Sequence, residues 1–335
     1  MSNQNEWRNS YVFRHARKSQ YLDAVRDAIG RAPSPDAMVY FVHSSRGTAT
    51  NDGSIGAPIN NMFTALAKCR NDRDDSVVVL PGSEYSITTT APVVTSKTGV
   101  NIIGLGNLTT RPTIVTSNSS TSFDIGGSGT FMSGFNFLSN SAFTDASTAL
   151  QILKPGVTIQ DCKFNTIVNS AGGVQIRIGA SATPNVTIKR CLFHMTTSSL
   201  AAITFASAGQ HFNVRIADNE FTGTWAGGVI NNTHIGACGA FFGVSGNYAL
   251  NKSATAPCFG NITNSGCFGY YKGNRVHSYV ASCASGTAMA DIFGASNTQM
   301  GIFDNYICTG TNGHLGYIPT LQVPAVNMSQ VHASA

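Results

Sequence analysis

From about residue 97 the chain repeats one short pattern of apolar and polar positions, apolar-x-apolar-x-x-(Asn or Cys)-x-apolar. Val157, Ile159, Cys162 and Phe164 fill it once, then Val186, Ile188, Cys191 and Phe193, then Val214, Ile216, Asn219 and Phe221. Weaker copies pass through Asn247, Asn274 and Asn305. The period-two alternation before the Asn/Cys anchor predicts a strand buried on one face. An Asp, Gly or Arg followed by the anchor reads as a bend, with Asn accepting the left-handed backbone region that a bend needs. The next apolar residue resumes a strand on a new face.

The anchors fall at 107, 135, 162, 191, 219, 247, 274 and 305, in steps of 28, 27, 29, 28, 28, 27 and 31 residues. Asn107, Asn219, Asn247, Asn274 and Asn305 hold asparagine, Cys162 and Cys191 hold cysteine, and Phe135 holds phenylalanine. A fixed period of this size predicts stacked repeats. Eight coils of about 28 residues, each adding ~4.8 Å, would make a column of about 38 Å.

The flanks break the pattern. Residues 1–36 read as an arm with one amphipathic helix: Ser19 as N-cap, then Leu22, Val25 and Ile29 at helical spacing, stopped by Gly30, Pro33 and Pro35. That helix has no partner within its own arm and must dock elsewhere. Residues 37–96 read as a cap. They supply a strand at 38–42, a Gly/Ser/Thr/Asn loop, a helix near 61–69 with Met62, Ala65, Leu66 and Cys69 on one stripe, and the strand Val77–Leu80. The repeats occupy 97–310, and 311–335, with Pro319 and Pro324, reads as an extended tail.

Composition agrees with an all-β solenoid. Only 11% of the 335 residues are charged, against roughly 25% in ordinary globular proteins. The net charge is +5, and residues 1–35 concentrate basic side chains, among them Arg8, Arg14 and Arg17. Such an arm suits nucleic acid or an acidic protein surface, or is simply a solvated helix face, and no aromatic-arginine motif of a nucleic-acid module accompanies it. Met1–Ser10 is polar, without the apolar stretch of an export signal, and no apolar run approaches the ~20 residues of a membrane span. The expected setting is a cytosol with reduced thiols. The eight cysteines form no C-x-x-C pair, so zinc is not expected and each packs as a small apolar side chain. No cofactor and no metal are expected.

The strand–bend–strand repeat resembles the right-handed parallel β-helix, a fold that often carries an internal asparagine ladder. Tyr40-Phe41-Val42, Gly47 to Gly53, Pro58, Ala65-Leu66 and Ser76 to Gly82 resemble the opening segment of bacteriophage β-helix proteins and of related polysaccharide lyases. The resemblance covers residues 76–310 as a fold and carries no catalytic residue. It implies a virion protein, commonly a trimer. The expected role is a homotrimeric capsid decoration or cement protein on the outer capsid surface, made in the host cytoplasm and bound to the major capsid protein. Arg8, Arg14, Arg17, Leu22, Val25 and Ile29 would anchor it, and Tyr270 and Phe303, out of phase with the core pattern, would pack the trimer.

Candidate chemistry is sparse. Residues 85–335 hold seven acids. Asp161, Arg190 and Asp218 share the position before the anchor on successive coils, which predicts an acid–base–acid stack. Asp218 and Glu220, at i and i+2, would face one way along a strand and are the best carboxylate pair for a glycoside-cleaving site. They carry the alternative reading, a tailspike or receptor-binding protein that binds or cleaves host polysaccharide. His194 and His277 fall three coils apart and form no pair. A third reading is a sugar-binding module using Tyr270, Tyr271 and Phe303.

Overall fold

The computed structural model describes residues 26, 34, 36–88, 93–107, 109–116, 122–139, 148–166, 173–179, 183–205, 212–231, 241–253, 259, 268–278, 299–309 and 314–318. The arm residues Arg8, Arg14, Arg17, Leu22, Val25 and Ile29 lie outside them, as does the tail beyond residue 318.

The chain is an all-β parallel solenoid with very little helix. Three sheets run along the column, and the strands of each follow one another in chain order. Among the described residues the first sheet has ten strands, from Val39–Val42 through Thr158–Gln160, Thr187–Lys189 and Val214–Ala217 to Gln299–Phe303. The second also has ten, from Glu84–Ile87 through Lys163–Thr166, Leu192–Ser199 and Glu220–Trp225 to Asn305–Thr309 and His314–Ile318. The third has six, Val93–Thr95 to Ile230–Asn231. Among the described residues, neighbouring strands pair in parallel except the last pair of the second sheet, Asn305–Thr309 with His314–Ile318. Ten strands on two faces do not reduce to the eight coils counted from the anchors. Strands Val39–Val42 and Ser76–Val79, within the segment expected as a cap, already pair into the first sheet.

Inward positions stack by kind. Phe137, Phe164, Phe193 and Phe221 lie face to face at 4.8, 4.9 and 4.7 Å between ring centres, with interplanar angles of 5°, 6° and 15°. Isolated aromatic rings prefer offset or edge-on contact. Here the strand spacing of ~4.8 Å sets the separation and the parallel register aligns the rings. From the first sheet Ile102, Met132, Ile159, Ile188, Ile216 and Val244 add an aliphatic column, all at 0% exposure.

The helix Met62–Lys68 closes one end of this core. Asn61 is its N-cap, with Oδ1 accepting from the Phe63 amide at 2.8 Å. Met62, Ala65 and Leu66 enter the main core, and Cys69 is buried beside them, as the stripe predicted. The side chain of Asp75, fully buried, ties the neighbouring segments together. It accepts from the amides of Met38 (2.7 Å) and Arg70 (2.8 Å) and from the Arg70 guanidinium. On the outer side of the first sheet, Phe41, Val78 and Ile103 form a second small cluster covered by Ile55, Leu80 and Leu105.

The corner between the first and second sheets uses two residues, and their roles differ from the sequence expectation. The left-handed residue precedes the anchor. It is Asp161 (φ 52°), Arg190 (52°), Asp218 (55°), Asp304 (51°), or a glycine at 134, 246 and 273. The anchor itself turns inward. Asn219 Nδ2 donates to Ile188 O and to Asn247 Oδ1, each at 3.0 Å, while the Asn219 amide donates to the same Oδ1 at 3.0 Å. Asn247 repeats this toward Ile216 O and Asn274, and Asn274 toward Val244 O and Asn305. The asparagines are therefore a buried polar ladder rather than the strained element of the bend. Bulky or charged residues adopt the left-handed region instead, because the side chain there points to solvent while the anchor's amide must face in.

Asn107 does not belong to the ladder. It is exposed, and its Oδ1 accepts from the amides of Thr109 (3.0 Å) and Thr110 (3.1 Å) in a wider loop between strands Asn101–Gly104 and Thr113–Thr116. An Asx-type turn, stable by itself, mimicked the repeat position.

Candidate binding face

The corner decides what the sequence-derived acids can do. Asp218 occupies the left-handed position that ends the first sheet, and Glu220 opens a strand of the second. Both are exposed, yet the bend puts them on different faces, so the i, i+2 argument for a strand does not apply across it. Asp161 is engaged elsewhere. Arg190 donates from Nε and from a terminal nitrogen to its two carboxylate oxygens, both at 2.9 Å, a bidentate fork. Those hydrogen bonds, and the charges of Asp161 and Asp218 beyond them, raise the Arg190 pKa above its ordinary value, against the opposing effect of burial. The expected three-member stack thus reduces to one bidentate pair with Asp218 acting on it through space.

Glu220 instead lines an open groove of about 420 Å³ on the outer face of the second sheet, with Lys163, Asn165, Leu192, His194 and Thr222. Register explains the company. Lys163, Leu192 and Glu220 are cross-strand partners, and so are Asn165, His194 and Thr222. One wall is raised by an irregularity in strand Leu192–Ser199. Between His194 and Ser198 that strand advances four residues while its neighbour advances two, Thr222 to Thr224. Bulges of this kind re-aim side chains beside sites. At the groove, Asn165 Oδ1 is buried and accepts no hydrogen bond among the described residues.

The same outward column continues past the groove. Glu220 pairs with Tyr248, Tyr248 with Arg275, and Arg275 with Tyr306. Tyr248 is 43% exposed and Tyr306 54%, two of the four large apolar side chains exposed among the described residues. The next outward column runs from His194 through Thr222 and Leu250 to His277, so the two histidines share a face but stand three strands apart, as the spacing implied.

These tyrosines were not singled out in the sequence. Their signal was present: each is the residue directly after an anchor, a position the repeat marks as outward-facing. The aromatic residues that were singled out behave differently. Tyr271 is buried in the core. Tyr270 is half-buried on the first sheet, lying over Gly243, where a Cβ would stand 3.0 Å from its ring, and edge-on to Phe241 at 5.4 Å. Arg215 covers the Phe241 ring at 5.9 Å. Phe303 ends strand Gln299–Phe303, paired with Lys272, and its side chain lies outside the described residues.

No cluster of three or more metal-ligating side chains occurs among the described residues. Cys69, Cys162 and Cys191 are free and buried. Burial, with the charge of Asp75 behind it, pushes the Cys69 thiol up to about 12, and burial also holds Cys191 well above the usual thiol range. Both are kept as thiols rather than reactive thiolates. Cys238, Cys258, Cys267 and Cys283 lie outside the described residues. No helix among the described residues is long and apolar enough to cross a membrane.

No family model and no curated protein matches this chain. Among solved structures it is similar to a rhamnogalacturonan lyase, at 14% identity over 80% of this chain and 87% of that one, with a TM-score of 0.37. It is similar to a GH136 lacto-N-biosidase from Eubacterium ramulus, at 9% identity over 88% of this chain and 70% of that one, with a TM-score of 0.30. It is also similar to ORF18 of Geobacillus virus E2, at 11% identity over 92% of this chain and 66% of that one, with a TM-score of 0.33. These are distant likenesses of fold, and the solenoid itself rests on the three strand ladders.

Proposed function

We propose that this chain is a structural protein of a bacteriophage particle, a homotrimeric capsid decoration or cement protein bound to the major capsid protein on the outer shell. The observation that supports a structural over a hydrolytic role is the corner geometry. It separates Asp218 from Glu220, while Arg190 occupies Asp161, so the groove presents a single carboxylate among the described residues. Glycoside hydrolysis by the two-carboxylate route needs a facing pair. The rigid column is the scaffold, and the basic arm, with Arg8, Arg14, Arg17, Leu22, Val25 and Ile29, is the anchor. Tyr270 and Phe303 belong to the proposed trimer contact.

Copy number in purified particles tests this. Quantitative mass spectrometry should find the protein at hundreds of copies per particle, in fixed ratio to the major capsid protein. A handful of copies, located at the tail, would sink the decoration reading. Deleting residues 1–36 should abolish particle binding while the solenoid still folds.

A receptor-binding role at the tail is the second reading, favoured by one observation: the exposed Tyr248–Arg275–Tyr306 column beside the groove. The same copy-number measurement separates the two.

A further inference from the structure

We infer that the outer face of the second sheet is a binding site for an acidic polysaccharide, laid along the column from Tyr306 to Lys163. This goes beyond the virion role and does not depend on where in a particle the chain resides.

Three features point to this occupant. First, Tyr248 and Tyr306 stand two strands apart with Arg275 between them, in continuous register. Adjacent strands are ~4.8 Å apart, which places the two tyrosines about 10 Å from each other along a flat ladder. A sheet lets side chains stand outward at fixed intervals, so a linear polymer with a repeating ring can meet successive side chains. The C–H faces of sugar rings pack against aromatic rings, and the phenol offers its oxygen to a neighbouring hydroxyl. An apolar partner protein would more naturally select a continuous apolar patch, whereas here each exposed ring is separated from the next by a charged residue.

Second, the charges favour an anion. Arg275 presents a planar fork that matches a carboxylate bidentately. Lys163 stands at the far end of the same column, with His194 in the adjacent column. Among the described residues Glu220 is the one carboxylate lining the groove, between these cationic groups. Its place is suited to accepting hydroxyl protons rather than to meeting an acidic group.

Third, the groove offers an unused acceptor. Asn165 Oδ1 is buried without a hydrogen bond among the described residues. An orphaned buried acceptor is costly, and a saccharide hydroxyl reaching into the groove would satisfy it. The raised wall at Thr196, contributed by the irregular strand, bounds the groove on one side.

The test uses the full chain and two soluble probes, sodium alginate as a polyuronate and dextran as a neutral polymer, in isothermal titration and affinity electrophoresis. Alginate should bind and dextran should not, and raising salt should weaken alginate binding. Arg275→Gln, Tyr248→Ala and Tyr306→Ala should each weaken alginate binding by about tenfold. Tyr248→Phe should retain most of it, which separates ring packing from general damage, and thermal melting checks that each variant is folded. Equal binding of alginate by the wild type and all folded variants would overturn the assignment. So would equal affinity for dextran, or binding to intact particles alone with none to either polymer, which would indicate a protein partner.

Discussion

The backbone amide of Cys191 donates to the side-chain Oδ1 of Asn219 at 2.9 Å. The asparagine ladder, running from Asn305 through Asn274 and Asn247, therefore ends on a cysteine. Each asparagine both satisfies the amide of the anchor one rung earlier and donates to a carbonyl of the preceding strand in the first sheet. Asn247→Ala would remove the acceptor used twice by Asn219 and leave Ile216 O without its donor. Buried groups left unpaired cost about 1–3 kcal/mol each, so we expect a loss of about 3 kcal/mol or more in urea unfolding. Cys191→Asn would instead extend the ladder toward Ile159 O, which the Cys191 thiol meets at only 3.9 Å. It should be neutral or stabilising, and a loss comparable to Asn247→Ala would show that the ladder cannot be lengthened.

Arg190 combines a left-handed backbone with a bidentate ion pair, and the two effects oppose each other. A non-glycine residue in this region costs about 1–2 kcal/mol. The pair with Asp161 is half-exposed, with side chains 49% and 35% accessible, and pairs of this kind contribute about 0–1 kcal/mol. Arg190→Gly should therefore change stability by less than about 1 kcal/mol, in either direction. Arg190→Val, β-branched at positive φ, should destabilise clearly more in the same denaturation assay.

Asp75 makes the region of the helix acid-sensitive. Burial alone would raise its pKa, but hydrogen bonds from the Arg70 side chain and from the amides of Met38 and Arg70 outweigh it and hold the carboxyl below its usual range. A folded-state pKa below the unfolded one gives stability that is present above about pH 4 and is lost as pH falls through the folded value. Asp75→Asn should flatten that acid limb. Asp75→Ala should cost about 3 kcal/mol at neutral pH by stripping the amides and Arg70 of their buried partner. Unfolding curves at pH 7, 5 and 3 would show both effects.

Asp124 slopes the other way. Burial raises its pKa, and the hydrogen bond from Ser122 offsets this only in part. A folded pKa above the unfolded value means that stability is greatest below about pH 4 and declines as pH rises through the folded value. Asp124→Asn, which keeps an oxygen for Ser122, should stabilise the protein at pH 7 and leave it little changed at pH 3. An equal effect at both pH values would count against this assignment.

The solenoid was legible because its pattern is local: Val157–Phe164 and its copies state strand, bend and strand in eight residues. The helix was legible from the stripe Met62, Ala65, Leu66, Cys69. What the spacing could not show was which of two adjacent residues bears the strain. Asp218 and Asn219 are both plausible left-handed residues, and only the inward hydrogen bonds of Asn219 settle their roles. Asn107 misled for a related reason, since an Asx turn and a ladder asparagine look alike in one dimension. The pairing of Asp218 with Glu220 failed because strand periodicity was carried across a corner. The Tyr248–Arg275–Tyr306 column is not legible as a repeat because its members differ in type, and only their register across the strands brings them together.

The left-handed corner has a consequence for how such a chain can change over time. Aspartate, arginine and glycine all occupy it in the left-handed region, and the neighbouring anchor secures the turn whichever is present. Since the corner side chain faces outward, its charge can be exchanged with little effect on the register of the coils. A column of this kind carries a lengthwise strip on which surface charge is free to drift, so that one unchanged scaffold can be re-addressed to different partners one coil at a time.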